Sequence, residues 1–166
     1  VPEEFVYEQS TQQAYYFFLT AAIDGVLLES DDWVGAFNGE TCVGSRSWDL
    51  EYCNNDVCDV PVMGDDGYEW TVGYMQTGET PSFKIFDASE GIYYDAVASE
   101  EFPWQNMGME MIGNLNVFPD CAGVLGGDLV DDNCGTCDND PSNDCTQDCA
   151  GNWGGDAVED NCGTCD

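Results

Sequence analysis

The stretch Tyr15-Tyr16-Phe17-Phe18-Leu19-Thr20-Ala21-Ala22-Ile23 is the most apolar part of the chain and indicates its fold class. Aromatic residues at this density favour a β-strand, and the run is about half as long as a membrane-spanning helix would need. Apolar side chains occupy both faces of the predicted strand. Two interpretations stay open: a central strand covered on both sides, or a strand whose second face contacts another subunit.

Short strand-like runs and tight turns follow this strand. Turn signals occur at Asp24-Gly25, Asn38-Gly39, Asp66-Gly67 and Glu90-Gly91. Further strands are predicted over residues 33–37, 41–47, 68–75, 81–87, 92–98 and 109–117. Because no window has a sustained helical period, residues 1–119 are predicted to form an all-β domain, an antiparallel β-sandwich or jelly roll.

The segment before the first strand, residues 5–13, is mostly polar but places Phe5 and Tyr7 on one side. It is interpreted as an edge strand, or as an arm that completes the sheet of a neighbouring copy by strand addition.

The composition changes at Phe118-Pro119-Asp120, where we expect a domain boundary. Residues 120–166 carry 12 of the 34 acids and 7 of the 10 Cys, but neither of the two bases. Their few apolar side chains cannot offset an ordering entropy of roughly 1–2 kcal/mol per residue. Covalent bonds and metal ions are therefore expected to stabilise this region, whose Cys content exceeds the roughly 10% that marks a disulfide scaffold.

Residues 120–166 repeat with an offset of 28, and 15 of the 19 aligned positions are identical. Asp120-Cys121-Ala122-Gly123 recurs as Asp148-Cys149-Ala150-Gly151, and residues 132–138 recur as 160–166. A period of this length predicts an extended array of stacked units, a rod, rather than a globule. The second unit ends before an equivalent of Cys145, so we expect the natural chain to continue. The lack of an initiator Met suggests a processed or truncated product.

The Cys spacing leaves several chemistries open. A complete repeat contains four Cys, which can pair in three ways: Cys121, Cys134, Cys137 and Cys145. Thioredoxin-like chemistry needs a βαβ context, which is missing. A zinc site built from the last three of these and Cys149 would leave the carboxylates unexplained. In the first domain, Cys53 and Cys58 are the expected pair, which leaves Cys42 buried and free or cross-linked elsewhere.

Disulfides together with calcium account for both the Cys and the acids. Calcium takes about six to eight oxygen ligands from carboxylates, amides and backbone carbonyls, and the Gly pairs at 126–127 and 154–155 permit sharp turns around an ion. Several Ca²⁺ ions are expected. The predicted ligands are Asp120, Asp128, Asp131, Asp132, Asn133, Asp138, Asp140, Asn143, Asp144, Asp148, Asp156, Asp160 and Asp166. Asn139 offers a further amide oxygen.

This pattern lacks the Gly and distal Glu of an EF-hand. It is loosely similar to the thrombospondin type 3 repeats, in which calcium replaces a hydrophobic core. Twelve like charges without a counter-ion repel one another, and extracellular calcium modules bind at about 10⁻⁴–10⁻³ M. The repeats are therefore expected to be ordered in calcium and loose in a chelator.

The composition excludes several partners and activities. A net charge of −32 with one Lys and one Arg excludes nucleic acid and anionic membranes as partners. The chain has no His for a catalytic triad or a His-ligated metal. Adjacent acids are interpreted as solvated turns, so no enzymatic activity is expected; they occur at Asp31/Asp32, Asp65/Asp66 and Glu100/Glu101.

A few single residues have a functional and a structural interpretation. The three residues Trp48, Trp70 and Trp104 would form a sugar-stacking platform if exposed, although such residues are more often core. Lys84 is expected to form an ordinary salt bridge, with a buried ion pair or an isopeptide bond as alternatives. The turns Asn54-Asn55-Asp56 and Asp65-Asp66-Gly67 would suit a further calcium ion but need none.

Three motifs carry a resemblance: Trp33-Val34-Gly35-Ala36-Phe37-Asn38-Gly39-Glu40-Thr41-Cys42-Val43-Gly44 followed by Ser47-Trp48-Asp49, then residues 58–67 and 82–89. With them, the chain resembles a β-sandwich module of large secreted surface proteins from environmental bacteria. In that family the module is commonly followed by Asp-Cys-Ala-Gly and Cys-Gly-x-Cys repeats like those found here.

Together these features predict a secreted structural subunit of an extracellular filament or cell-surface stalk. β-sandwich beads would be linked by repeats that calcium and disulfides make rigid, and the partners would be copies of the chain itself. The alternative is a carbohydrate-binding or adhesive module on a calcium-stiffened stalk, with a polysaccharide as partner. A third interpretation is an accessory domain of a secreted hydrolase.

Overall fold

The computed structural model describes residues 1–53 and 57–165 and divides into two compact units, Val1–Phe118 and Pro119–Asp166. The N-terminal unit contains strands β1 (Gln13–Ile23), β2 (Val26–Leu27), β3 (Trp33–Asn38), β4 (Thr41–Ser47), β5 (Cys58–Met63), β6 (Ser82–Asp87), β7 (Ile92–Ala98) and β8 (Met109–Val117). The described residues contain short 3₁₀ turns but no α-helix. The all-β prediction is confirmed. The Asn54-Asn55-Asp56 turn and Asp166 lie outside the described residues.

The eight strands form one curled, mixed sheet in the order β2-β1-β8-β7-β6-β3-β4, with β5 also paired to β1. β1 pairs in parallel with β8, so that Tyr15 lies opposite Met109, and antiparallel with β5. The prediction of a purely antiparallel sheet was therefore wrong at the β1–β8 pair. Turn spacing constrains strands that follow one another closely, whereas β1 and β8 are connected only through the strands between them.

The sheet curls around an aromatic core on the inner face of β1. Tyr16 and Phe18 are fully buried there, and Phe18 packs edge-on against Phe83 with ring centroids 5.1 Å apart. Trp48, also buried, lies 6.3 Å from Phe18 by the same measure. Each fully buried side chain of this size contributes about 1.5–3 kcal/mol through removal of apolar surface from water.

A second cluster covers the opposite face of β3. Phe5 is fully buried and packs edge-on against Phe37 and Tyr93, with ring centroids 5.8 Å and 5.3 Å away. Gly35 of β3 makes room for this ring, because a Cβ at that position would lie only 2.8 Å from it. β3 is therefore covered on both faces, and the N-terminal segment provides the second layer.

The N-terminal segment reaches this cluster without forming a strand. Residues 3–5 form a 3₁₀ turn, and no strand begins before Gln13. The Glu8 N–H donates to the Tyr74 hydroxyl over 2.7 Å, and the Ser10 hydroxyl donates to the Gly64 carbonyl over 2.6 Å. The edge-strand interpretation was wrong, because residues 5–12 form no strand ladder. The Glu8 N–H instead binds a side chain, and the Ser10 hydroxyl binds a loop carbonyl. Strand addition to another copy stays a prediction.

The two faces of β1 differ in burial. Ala14, Tyr16 and Phe18 point into the core, whereas Tyr15 and Phe17 on the outer face are half-buried. Leu19 continues the outer face and is 50% exposed, and the alternation breaks at Thr20, which is exposed although it follows the inner-face residues Tyr16 and Phe18. β1 is central by pairing, since β5 and β8 flank it, but its outer face is only partly covered.

Sequence patterns located five later strands closely, over β3, β4, β6, β7 and β8. The strand predicted over residues 68–75 was wrong, because that segment contains a 3₁₀ turn at Glu69–Thr71. Asp65 Oδ1 accepts the Gly67 N–H over 2.8 Å, and Asp66 Oδ1 accepts the Tyr68 N–H over 3.4 Å. These side chains take up N–H groups that a ladder would need.

Strand β5 was missed because it contains Pro61, which lacks a backbone N–H and argues against a central strand. The strand tolerates Pro61 since, among the described strands, it hydrogen-bonds only to β1.

The few Cys and bases of the N-terminal unit fall in the expected places. Cys53 and Cys58 form the predicted disulfide, and Cys42 is buried as a free thiol. Lys84 Nζ lies 3.9 Å from carboxylate oxygens of Glu4 and of Asp95, which confirms the expectation of an ordinary surface salt bridge.

The C-terminal unit has a different construction. Its described strands are the two-residue β9 (Val130–Asp131) and β10 (Cys137–Asp138). Between residues 119 and 165 no residue is buried, and Val124, Val130 and Val158 are more than half exposed. The described part of this unit therefore has no hydrophobic core.

Candidate functional site

Each 28-residue repeat contains two small hairpins, and each hairpin is built on one Asp. In the first, Asp120 Oδ1 accepts the N–H groups of Ala122 and Val124 over 2.9 Å and 2.8 Å, and the Asp120 N–H donates to the Val124 carbonyl over 2.8 Å. The same three hydrogen bonds recur at Asp132, Asp148 and Asp160. These four predicted ligands therefore use Oδ1 to cap a turn, which leaves Oδ2 as the remaining carboxylate oxygen, and at Asp148 that oxygen accepts from Asn152 Nδ2 over 3.3 Å.

The third residue after each capping Asp is a glycine with positive φ. The φ values are 81° at Gly123, 81° at Gly135, 85° at Gly151 and 80° at Gly163, a conformation that residues with a Cβ adopt only with strain. The flanking residues of each hairpin then pair across it, as Asp131 does with Cys137. The sequence signal is Asp-x-x-Gly, four times in the unit.

Disulfides join the hairpins in register with the repeat. Cys121 bonds to Cys137, and Cys149 bonds to Cys165 at the equivalent positions 28 residues later. A third bond joins Cys134 to Cys145. All four Cys of the possible zinc site are consequently oxidised, so the structure does not support a thiolate zinc site. Each bridge removes entropy from the unfolded chain, which compensates for the missing core.

An acidic groove of about 620 Å³ runs along the first repeat. Its lining consists of Val130, Asp131, Asp132, Asn133, Asp138, Asn139, Asp140, Pro141, Asp144, Cys145 and Trp153. It thus brings together five carboxylates and two amides, and Trp153 comes from the second repeat. The C-terminal unit has neither Lys nor Arg, so no side-chain base balances these charges.

One carboxylate oxygen in this groove lacks a partner. Asp132 Oδ1 caps its turn, but Asp132 Oδ2 is buried and has no hydrogen-bond partner in the described structure. A buried, unpaired carboxylate oxygen is costly unless a cation or a donor meets it. Because the groove offers carboxylate and amide oxygens, and its Cys145 is held in a disulfide, a hard divalent cation such as Ca²⁺ fits this position better than a soft metal.

The carboxylate groups of the groove do not surround a single point in this structure. Among the described residues, no group of three or more His, Cys, Asp or Glu side chains is close enough to hold a metal ion. Amides occupy two of the oxygens: Asn143 Nδ2 donates to Asp138 Oδ2 over 2.7 Å, and Asn139 Nδ2 donates to Asp128 Oδ2 over 2.8 Å. Rotation of either amide would turn its own oxygen outward and release the carboxylate.

The predicted ligands thus fall into distinct places. The groove contains Asp131, Asp132, Asn133, Asp138, Asp140 and Asp144. Outside it, Asp120, Asp148 and Asp160 cap hairpins, Asp128 and Asn143 hold amide hydrogen bonds, and Asp156 is exposed. Sequence reasoning missed Pro141 and Trp153 as lining residues. A Trp that replaces Leu125 of the first repeat was the available signal.

Hydrogen bonds lower the pKa values of three acids in the repeats. Hydrogen bonds from the N–H groups of Thr164 and Cys162 hold the pKa of Asp160 below its usual value, and the Asn152 N–H does the same to the pKa of Asp148. The Ser142 side chain and N–H lower the pKa of Asp140. Of these three acids, Asp140 lines the groove, and its carboxyl group stays ionised in mildly acidic solution, as a cation site requires.

The three Trp residues considered for a sugar-stacking platform differ in exposure. Trp48 and Trp104 belong to the core, and the Trp104 Nε1–H donates to the Val62 carbonyl over 3.0 Å. Trp70 is exposed and stacks on Tyr68.

One acid of each adjacent pair in the N-terminal unit accepts a backbone N–H group. Asp32 Oδ2 accepts the Glu29 N–H over 2.8 Å, Asp66 Oδ2 accepts the Thr11 N–H over 2.8 Å, and Glu100 Oε2 accepts the Gly113 N–H over 2.8 Å.

Comparison with known proteins adds no identity. No family model, curated protein or solved structure matches the chain.

Over the described residues, no helix is both long and apolar enough to span a membrane.

Proposed function

We propose that the chain is a structural subunit of an extracellular filament or cell-surface stalk. In this proposal the curled sheet of the N-terminal unit acts as a sandwich-like bead, and the C-terminal repeats form an extended rod that several Ca²⁺ ions and disulfides stiffen. The observation that carries the proposal is the buried, unpartnered Asp132 Oδ2 in a groove with four further carboxylates.

Calcium supplies what the C-terminal unit lacks. The unit has no buried residue among those described and no side-chain base, so its acids repel one another without any core to resist them. A divalent ion in the groove would pair Asp132 Oδ2 and remove repulsion along the chain. Because calcium accepts six or more oxygens at flexible geometry, it can draw in amide oxygens from Asn133 or Asn139.

The same chemistry supports an extracellular location. Four disulfides are typical of proteins that fold in an oxidising compartment. Calcium modules outside the cell bind with dissociation constants of about 10⁻⁴–10⁻³ M, which suits a site formed by exposed hairpins.

The outer face of β1 and β8 supports contact between copies. Leu19, Met109 and Met111 are 50%, 72% and 56% exposed, and Tyr15 and Phe17 lie opposite the two methionines in the parallel ladder. Contiguous apolar side chains of this kind mark interaction surfaces. The proposal gives the chain no catalytic role.

A calorimetric titration of the full chain with Ca²⁺ tests the site. Asp132→Asn keeps an acceptor for the turn but removes the charge on the buried oxygen, and Asp160→Asn makes the same change at the repeat-equivalent hairpin. We expect Asp132→Asn to weaken the tightest calcium site by about tenfold or more, and Asp160→Asn to leave that site unchanged. Equal affinity of Asp132→Asn and wild type would refute the groove as the site.

Electron microscopy in calcium and in chelator tests the structural role. If calcium stiffens the repeats that link beads, filaments of the intact protein should become irregular or dissociate in EGTA. Unchanged fibre morphology in chelator would contradict the proposal.

A further inference from the structure

Tyr68 and Trp70 form a stacked aromatic pair on the surface of the N-terminal unit. Their ring centroids are 4.6 Å apart and their planes differ by 8°, and they are 52% and 50% exposed. Each ring covers one face of the other, and about half of each residue remains exposed to solvent. The pair does not belong to the buried core, unlike Trp48 and Trp104, which are both buried.

Hydrogen bonds fix the loop that presents these rings. Asp66 Oδ2 accepts the Thr11 N–H over 2.8 Å and the Thr11 hydroxyl over 2.9 Å, and Asp66 Oδ1 accepts the Thr71 hydroxyl over 2.8 Å. Asp65 Oδ2 accepts from Gln76 Nε2 over 3.1 Å. Because one end of this network reaches the segment before β1, the loop is anchored to the rest of the unit.

Such anchoring matters for binding. A ligand that stacks on a fixed ring does not have to immobilise a flexible loop, so less binding free energy is lost to ordering. The strong depression of the pKa of Asp66, caused first by the Thr11 N–H, shows that the anchor persists in acidic solution. The loop therefore presents a preformed aromatic surface.

The charge of the chain limits what can stack there. A net charge of −32 repels nucleic acids and anionic polysaccharides, and Glu69 lies between the two aromatic residues in sequence and is exposed. A neutral sugar ring has an apolar face of C–H groups that packs on an aromatic ring, and hydroxyl groups around it that donate to a carboxylate.

We propose that Tyr68 and Trp70 form a binding platform for a neutral polysaccharide, with their exposed surfaces stacking on sugar rings. This site lies in the N-terminal unit and is independent of the calcium groove, so it goes beyond the structural role proposed above. A subunit with both features would attach to a glycan while its repeats carry calcium.

The test is retention of the full chain on neutral and charged polymers. The probes are microcrystalline cellulose, chitin and soluble mixed-linkage glucan as neutral polysaccharides, alginate as a polyanion, and polylysine as a polycation. We expect retention by at least one neutral polysaccharide and none by alginate. Trp70→Ala should weaken that retention by about tenfold, the scale of one lost stacking contact, and Tyr68→Ala should weaken it as well.

Tyr52→Ala is the matched control, because Tyr52 is also exposed and should contribute nothing. Near-ultraviolet circular dichroism of each variant shows whether the core is intact. The proposal is overturned if no neutral polysaccharide retains the wild type or if Trp70→Ala binds as well as wild type. It is also overturned if Trp70 affects only polylysine binding, which would assign the platform to a cationic partner.

Discussion

The carboxylate of Asp120 lies directly against the backbone of Gly127, where a Cβ would overlap Asp120 Oδ2. The same relationship recurs between Asp148 and Gly155 in the second repeat. Asp120 cannot turn away, because its Oδ1 accepts two backbone N–H groups of its own hairpin. The second glycine of each Gly-Gly pair is therefore needed for space rather than for a positive φ.

Gly127→Ala should destabilise the first hairpin. The added methyl group displaces the Asp120 carboxylate and so weakens hydrogen bonds worth about 1–2 kcal/mol in total. The protection of the C-terminal unit against limited proteolysis under native conditions should fall accordingly, since cleavage follows the population of opened chains. Val124→Ala, at an exposed position of the same hairpin, is the control. Equal cleavage rates for the two variants would contradict this account.

Trp153 should report ion binding in the groove. It lines the groove with Asp131, Asp138 and Asp144, so Tb³⁺ bound there in place of Ca²⁺ would receive excitation energy from a nearby indole. Trp153→Phe should abolish most of the sensitised Tb³⁺ emission while calorimetry still shows Tb³⁺ binding. Trp70→Phe should leave the emission unchanged because Trp70 does not line the groove. Full emission from Trp153→Phe would place the bound ion elsewhere.

The sequence predicted local features of the repeats better than their convergence in space. The 28-residue offset is visible from identities alone, and a disulfide scaffold follows from the Cys content. Which of the thirteen predicted ligand residues line one groove is not visible in the sequence, because Asp120, Asp132 and Asp160 all share the Asp-x-x-Gly pattern but have different neighbours in space. Only folding shows that Asp132 Oδ2 is buried and unpaired.

In the N-terminal unit, too, sequence patterns predicted local structure but not contacts between residues far apart in the chain. Turn chemistry located the hairpin at Asp24-Gly25 and five later strands, because these depend on residues close in sequence. The parallel pairing of β1 with β8 and the burial of Phe5 against Phe37 depend on residues far apart in the chain. No local pattern encodes those contacts.

The outer face of β1 and β8 should control self-association. Replacing Met109 and Met111 by Glu adds charge to an apolar patch that is already on an acidic chain, so association through this face should be lost. Sedimentation velocity over a range of protein concentrations would show the double variant as the smaller species. Val26→Glu changes an equally exposed residue of β2 and should associate like wild type. If the double variant still assembles, copies meet through another surface.

Stability should decrease in alkaline solution, because burial favours the neutral forms of two core groups. Burial raises the pKa of the Tyr16 phenol above its usual value of 10.0 and the pKa of the Cys42 thiol above 9.0. The unfolded chain therefore loses these protons at lower pH than the folded chain. Below about pH 9 both groups are protonated in the folded and in the unfolded chain, and above it the free energy of unfolding falls progressively as the unfolded chain loses these protons first.

Denaturant midpoints at about pH 8 and about pH 10.5 measure this loss. A Cys162→Ser background prevents the exposed free thiol from exchanging with disulfides at high pH. Tyr16→Phe lowers stability at every pH, because it removes the hydrogen bond from the phenol to the Phe102 carbonyl, but it should make the pH dependence shallower. Tyr52→Phe, at an exposed position, should keep the full dependence. A midpoint that does not change with pH would mean that Tyr16 and Cys42 ionise as easily in the folded chain as in the unfolded one.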